Sequence, residues 1–116
     1  MQAIYNKQGH TVAWLSYRDL YDTSGGYIGF IKGYGVFNLK SKYCGSLKQS
    51  VFRDTSGLVV AIMKGAKKVS SLPALKTKPH KPTKKTKPVL KPIGSSPSLG
   101  SFKAQWSRLN WSQFIA

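Results

Sequence analysis

Between Ile4 and Lys67, apolar and polar positions return with a period of 16 residues, four times without a gap. The units read IYNKQGHTVAWLSYRD, LYDTSGGYIGFIKGYG, VFNLKSKYCGSLKQSV and FRDTSGLVVAIMKGAK. The third position of each holds Asn6, Asp22, Asn38 or Asp54, and the sixth holds Gly9, Gly25, Ser41 or Gly57. The tenth is always small: Ala13, Gly29, Gly45, Ala61. A period of this length marks a repeat architecture in which each unit is one supersecondary element.

Each unit predicts a β-hairpin. Its first two positions are mostly apolar or aromatic (Ile4-Tyr5, Leu20-Tyr21, Val36-Phe37, Phe52-Arg53). An Asn or Asp then opens a turn by hydrogen-bonding the backbone beyond it, and the Gly three residues on closes it with positive φ. Ser41 breaks that rule, so the third turn is expected to be strained or of another type. The return strands are TVAWL, YIGFI, YCGSL and VVAIM, rich in β-branched and aromatic residues. They are apolar on both faces, so both faces must be covered. The small tenth position marks close approach of another backbone or a large ring.

One such hairpin cannot bury its apolar face alone. Four equal spacings without a polar capping unit favour closure of the fourth unit on the first, over an open meander or small barrel, and closure removes exposed sheet edges. The expected fold is therefore all-β: four tandem 16-residue β-hairpin repeats in a closed pseudo-four-fold arrangement over residues 1–67.

All six prolines lie beyond Lys67. The segment KTKPHKPTKKTKPVLKP alternates Lys and Pro, which predicts an extended, polyproline-II-like linker over residues 68–101. Fully extended, Val69–Pro97 spans about 90 Å at about 3.1 Å per residue. Its apolar beads, among them Val69, Leu72, Leu75 and Leu90, equally allow it to lie back on the repeats. Gly94–Ser101 reads as a Gly/Ser-rich joint. Residues 102–116 turn apolar again, and Trp106, Leu109, Trp111 and Phe114 are candidates for docking on the repeats or on a partner. Ser107 is a candidate cap for a short final helix.

Charge narrows the partners. There are 19 Lys and Arg against 3 Asp and no Glu, a net charge of +16. Such a field favours polyanions. Lys76, Lys78, Lys81, Lys84, Lys85, Lys87 and Lys91 are the candidate polyanion-binding residues, each able to neutralise a phosphate without reading sequence. Tyr5, Tyr21 and Phe37 share one repeat position and could stack bases, although packing between units explains them as well. Proline-interleaved lysines do not make an amphipathic helix for a membrane surface.

Little is left for catalysis. If the Asp22 and Asp54 column accepts Asn6 and Asn38, it serves a hydrogen bond and not a charge, which leaves Asp19 alone. Asn6, Gly9, Asp22, Gly25, Asn38, Asp54 and Gly57 are thus assigned as structural turn residues. GGYIGF and KGYG lack phosphate-loop spacing. His10 and His80 are poor metal candidates, and the one cysteine, Cys44, stands where other units place Val12, Ile28 and Val60, as a small buried hydrophobe. No catalytic residue, metal or cofactor is expected. No basic-then-apolar leader and no membrane-length apolar run is visible, so the default compartment is cytoplasmic.

The units IYN..G..VAWL, LYD..G.YIGFI and FRD..G.VVA, the basic Pro-rich stretch and the ending SRLNWSQF together resemble the four-fold β-flower proteins. The resemblance covers nearly the whole chain and implies a bacterial protein with a four-hairpin β fold. It carries no activity and no catalytic residues. The expected function is that of a non-enzymatic scaffold or interaction module, its partner an unknown protein or a second copy. Sequence-nonspecific nucleic-acid binding through the Lys/Pro-rich arm is the alternative.

Overall fold

The computed structural model describes residues 1–93, 97 and 99–116; half of the expected Gly94–Ser101 joint lies outside them. The strands are β1 (Gln2–Tyr5), β2 (Thr11–Ser16), β3 (Asp19–Tyr21), β4 (Tyr27–Lys32), β5 (Gly35–Asn38), β6 (Tyr43–Lys48), β7 (Val51–Asp54) and β8 (Val59–Ile62). Among the described residues one helix, α1, spans Trp111–Ile115. Every strand pairs antiparallel with the next and β8 returns to β1, so the sheet closes as an eight-stranded barrel. Closure and a small barrel, opposed in the sequence reading, are here the same object.

The Asn/Asp column builds the turns joining β1 to β2, β3 to β4, β5 to β6 and β7 to β8. Asn6 Oδ1 accepts from the amides of Gln8 and His10, both at 3.0 Å. Asp22, Asn38 and Asp54 repeat the arrangement with Ser24 and Gly26, Lys40 and Lys42, and Ser56 and Leu58. The sixth-position amide then donates to the third-position carbonyl, at 2.9 Å for Ser41 and 3.0 Å for Gly9 and Gly57. Ser41 adopts φ 59°, so the third turn is of the same type as the others and carries its strain on a non-glycine residue.

A bulge explains why the return strands are apolar on both faces. Tyr5 pairs with Thr11 while Ile4 pairs with Ala13, leaving Val12 as the extra residue. The same shift leaves out Ile28, Cys44 and Val60 in the other hairpins. These bulged residues join the inner cluster, which gathers Ile4, Leu20, Val36 and Phe52 around Trp111 and Phe114. The inner cluster draws on every strand, so it fills the barrel. The opposite face forms a second cluster around Tyr5, Trp14, Tyr21 and Tyr27, covered by Val69, Leu90 and Trp106 from beyond the repeats.

Closure is narrow. β1 and β8 share a single residue pair, Tyr5 with Ile62. The C-terminal segment fills the rest of the β8 edge: Val59 N donates to Gln105 O at 2.9 Å, Ser107 N donates to Val59 O at 2.7 Å, and Trp106 forms a parallel bridge to Val59. An edge that would otherwise invite another chain is thereby paired.

The final helix is capped differently from the sequence expectation. Asn110, not Ser107, is its N-cap: Asn110 Oδ1 accepts from Gln113 N at 2.8 Å, and Gln113 Oε1 accepts from Asn110 N at 3.0 Å. Ser107 is drawn instead to the barrel, its hydroxyl donating to Asp54 Oδ2 at 2.6 Å.

Candidate functional site

The Lys/Pro segment lies against the barrel as a strap. Lys76 N donates to Gly9 O at 2.9 Å, Lys85 N to Gly25 O at 3.0 Å and Lys103 N to Gly57 O at 3.0 Å. In each case the carbonyl two residues earlier, on Ala74, Thr83 or Ser101, occupies the place that a side chain on that glycine would take. The sixth-position glycines therefore serve two ends: positive φ for the turn and a flat seat for the strap. At the third turn Ser41 has a side chain, and its hydroxyl donates to Lys91 O at 2.6 Å instead.

The anchors are regularly spaced. Nine residues separate Lys76 from Lys85, and twice nine separate Lys85 from Lys103. The midpoint, Gly94, lies outside the described residues. The strap, which has no strand or helix among the described residues, is thus held in register with the barrel by backbone bonds at intervals.

Of the seven candidate polyanion-binding lysines, all are exposed. Two also touch the barrel. Lys84 Nζ lies 5.8 Å from the centre of the Tyr21 ring, and Lys87 Nζ lies 5.5 Å from that of Tyr27 and 3.2 Å from Asp19 Oδ1. Around the strap end, Arg18, Lys32, Lys87 and Lys91 rim a groove of about 500 Å³ whose apolar wall includes Phe30, Leu90 and Pro92.

The three carboxylates are all engaged within the fold. Asp19 pairs with Lys87 and accepts from the Tyr27 hydroxyl at 2.9 Å. Burial, with the Asp19 bond and charge, pushes the Tyr27 phenol well above its ordinary value. Burial alone would raise Asp22, but the Ser24 hydroxyl, the Gly26 and Ser24 amides and Lys85 hold its carboxyl below the ordinary value. Asp54 holds its turn through Oδ1 and Ser107 through Oδ2. Burial pushes the Cys44 thiol up. Among the described residues no group of three or more His, Cys, Asp or Glu is placed to hold a metal ion.

The aromatic column lies on the outer face of the sheet, on the side that the segments beyond the repeats cover. Tyr5, Tyr21 and Phe37 are buried, which withdraws them as base-stacking surfaces. In the fourth unit the column position is Arg53, only 6% exposed. Phe102 from the C-terminal segment covers it, with the guanidinium carbon 4.5 Å from the ring centre, and Arg53 Nε donates to Lys103 O at 3.3 Å. Burial lowers the guanidinium's proton affinity.

The C-terminal candidates divide. Trp111 and Phe114 enter the barrel core, and each meets the Phe52 ring edge-on. Phe114 lies against Gly45 and Ile115 against Gly29, so two of the small tenth-position residues make room for the helix. Trp106 is half-buried over the outer cluster and its indole donates to Ser70 O at 2.8 Å. Leu109 does not dock: it is 40% exposed, because the chain between the Trp106 bridge and the Asn110 cap is not helical.

A closed eight-stranded antiparallel barrel in which each strand pairs with its sequence neighbour, with its C-terminal helix against the inner cluster, defines a small all-β protein. The profile of the 4-fold beta flower protein family matches residues 2–115, and the chain belongs to that family. No curated protein and no solved structure matches it. Among the described residues no helix is long and apolar enough to cross a membrane.

Proposed function

We propose that the protein is a non-enzymatic scaffold: four copies of one hairpin closed into a pseudo-four-fold ring, displaying a basic strap that binds polyanions. Nucleic acid is the partner of that chemistry, bound through its phosphates without sequence reading. One observation carries the reading. The strap backbone is pinned to the barrel turns while its seven lysine side chains are exposed, and of the seven only Lys87 is ion-paired to a carboxylate. A polycation ordered in advance loses less conformational entropy on binding than a loose tail of the same charge.

Non-enzymatic action is supported by the engagement of Asp19, Asp22 and Asp54 in turns and ion pairs, which leaves no carboxylate pair poised for acid–base work. The ring is the frame and the strap is the interface.

The test uses fluorescence anisotropy with mixed-sequence labelled DNA and RNA at low salt. The wild-type chain is expected to bind both with similar affinity. Replacement of Lys76, Lys78, Lys81, Lys84, Lys85, Lys87 and Lys91 by Gln should weaken binding by well over tenfold. Unchanged binding in that variant would remove the strap from the account.

A further inference from the structure

The fourth repeat departs from the other three at one buried position. Tyr5, Tyr21 and Phe37 fill that column as buried rings, and in their place the fourth unit carries Arg53, itself only 6% exposed. Packing alone would be served by another ring. A guanidinium stays charged at any ordinary pH, so burying one costs free energy unless an opposite charge and hydrogen bonds meet it. The fold supplies only part of that. The one ion pair among the described residues joins Lys87 to Asp19 and leaves Arg53 without a carboxylate. Arg53 Nε donates to Lys103 O at 3.3 Å, and the Phe102 ring covers one face of the guanidinium at 4.5 Å.

The two terminal nitrogens are the unused part. They have no partner among the described residues, and they are not among the sealed, unpartnered side-chain atoms, which are Thr11 Oγ1, Trp14 Nε1 and Trp111 Nε1. They therefore keep accessible surface. Arg53 lines a cavity of about 300 Å³ together with Gln49, Lys67, Lys68, Phe102 and Lys103, and no acidic side chain lines it. Three pieces of chain build it: the Gln49-Ser50 turn before β7, the segment that leaves β8 at Lys67-Lys68, and residues 102–104 on their return over the barrel. The Lys103 carbonyl and the Phe102 ring hold the guanidinium plane, so the edge it offers is set in advance.

Four cations around a cavity of this size match a compact oxyanion of more than one charge, and the guanidinium fork matches two oxygens of a phosphate. We infer that the Arg53 cavity binds a phosphate group, either inorganic phosphate or the head of a small phosphate monoester. Arg53 is its two-pronged ligand, and Lys67, Lys68 and Lys103 neutralise the remaining charge. None of the seven strap lysines lines this cavity, so the site goes beyond polyanion binding by the strap and does not depend on it.

The experiment is isothermal titration calorimetry of the full chain at fixed ionic strength with three probes: inorganic phosphate, glycerol phosphate and acetate. Both phosphates should bind at one site and acetate at least about tenfold more weakly; the tighter of the two phosphates identifies the source. Arg53→Tyr restores the residue that the first two units hold, so the fold should be kept and the melting temperature should hold or rise. Phosphate binding should nevertheless fall by at least about tenfold, the loss of a charge-assisted pair of bonds. Arg53→Lys keeps the charge without the fork and should lie between. The seven-lysine Gln variant should bind phosphate as the wild type does. One readout needs no variant: phosphate should shift the Arg53 Nε–H resonance of the wild-type chain and saturate with the calorimetric constant. The inference is overturned if that resonance does not move, if folded Arg53→Tyr binds phosphate as tightly as the wild type, or if binding disappears with the strap lysines.

Discussion

Lys85 donates its amide hydrogen to the Gly25 carbonyl at 3.0 Å, and Thr83 places its own carbonyl where a Gly25 side chain would stand. The turn glycine and the strap are therefore fitted to each other. Gly25→Ala and Gly65→Ala both impose positive φ on a residue with a side chain, at about 1 kcal/mol. Only the first collides with the strap, since nothing lies within 4 Å of a side chain at Gly65. Limited trypsin digestion should cut the Gly25→Ala strap at its lysines faster than the wild type and leave Gly65→Ala unchanged. Equal digestion of both variants would separate the glycine from the strap.

Ser41 gives the converse case. It accepts φ 59° and in return donates its hydroxyl to Lys91 O at 2.6 Å. Ser41→Ala keeps the strain and loses the bond, at a cost of about 1 kcal/mol. Ser41→Gly loses the bond but relieves about 1 kcal/mol of strain, so it should be close to neutral. Urea unfolding of the two variants checks the order, and a Gly variant less stable than the Ala variant would contradict it.

The helix is a core element. Trp111→Ala and Phe114→Ala should each cost about 3 kcal/mol or more, because each removes a ring from the filled barrel. Leu109→Ala, at an exposed position, should stay within about 0.5 kcal/mol. Thermal unfolding followed by near-UV circular dichroism distinguishes these outcomes.

Acid should act through Asp22. Its carboxyl is held below the ordinary value in the folded chain, so its contribution is fully present above the unfolded value of about 3.9. That contribution is lost as pH falls through the lower folded value. Asn performs the same turn duty at Asn6 and Asn38. Asp22→Asn should therefore fold normally at pH 7 and show a shallower loss of stability as pH falls below about 4. An unchanged acid profile would assign the sensitivity elsewhere.

The hairpin turns were legible in sequence because Asn/Asp and Gly at fixed offsets carry a specific backbone geometry, and the family resemblance holds across residues 2–115. The turns between hairpins were less so. Tyr17 and the Gln49-Ser50 pair adopt positive φ without the residues that announce it, held there by the flanking strands. The bulge at Val12, Ile28, Cys44 and Val60 looked like apolar residues on both faces, since period alone cannot register one extra residue. Leu109 and Ser107 misled because an apolar spacing near a chain end resembles a helix until the cap is known. The strap's seat on the glycines left no mark distinct from turn chemistry, because both demand the same missing side chain. The Arg53 cavity was not legible at all: Lys67, Lys68 and Lys103 meet Arg53 only in the folded chain.

The central claim is that the strap is a preordered polycation, and the salt dependence of DNA binding tests it most directly. Lys87 is already paired with Asp19, leaving six of the seven strap lysines free to displace counterions. The logarithm of the duplex-DNA binding constant should fall linearly with the logarithm of salt concentration, with a slope of about −5 for the wild type. The seven-lysine Gln variant should retain less than half that slope. A shallow wild-type slope, or the same slope in both proteins, would contradict the account.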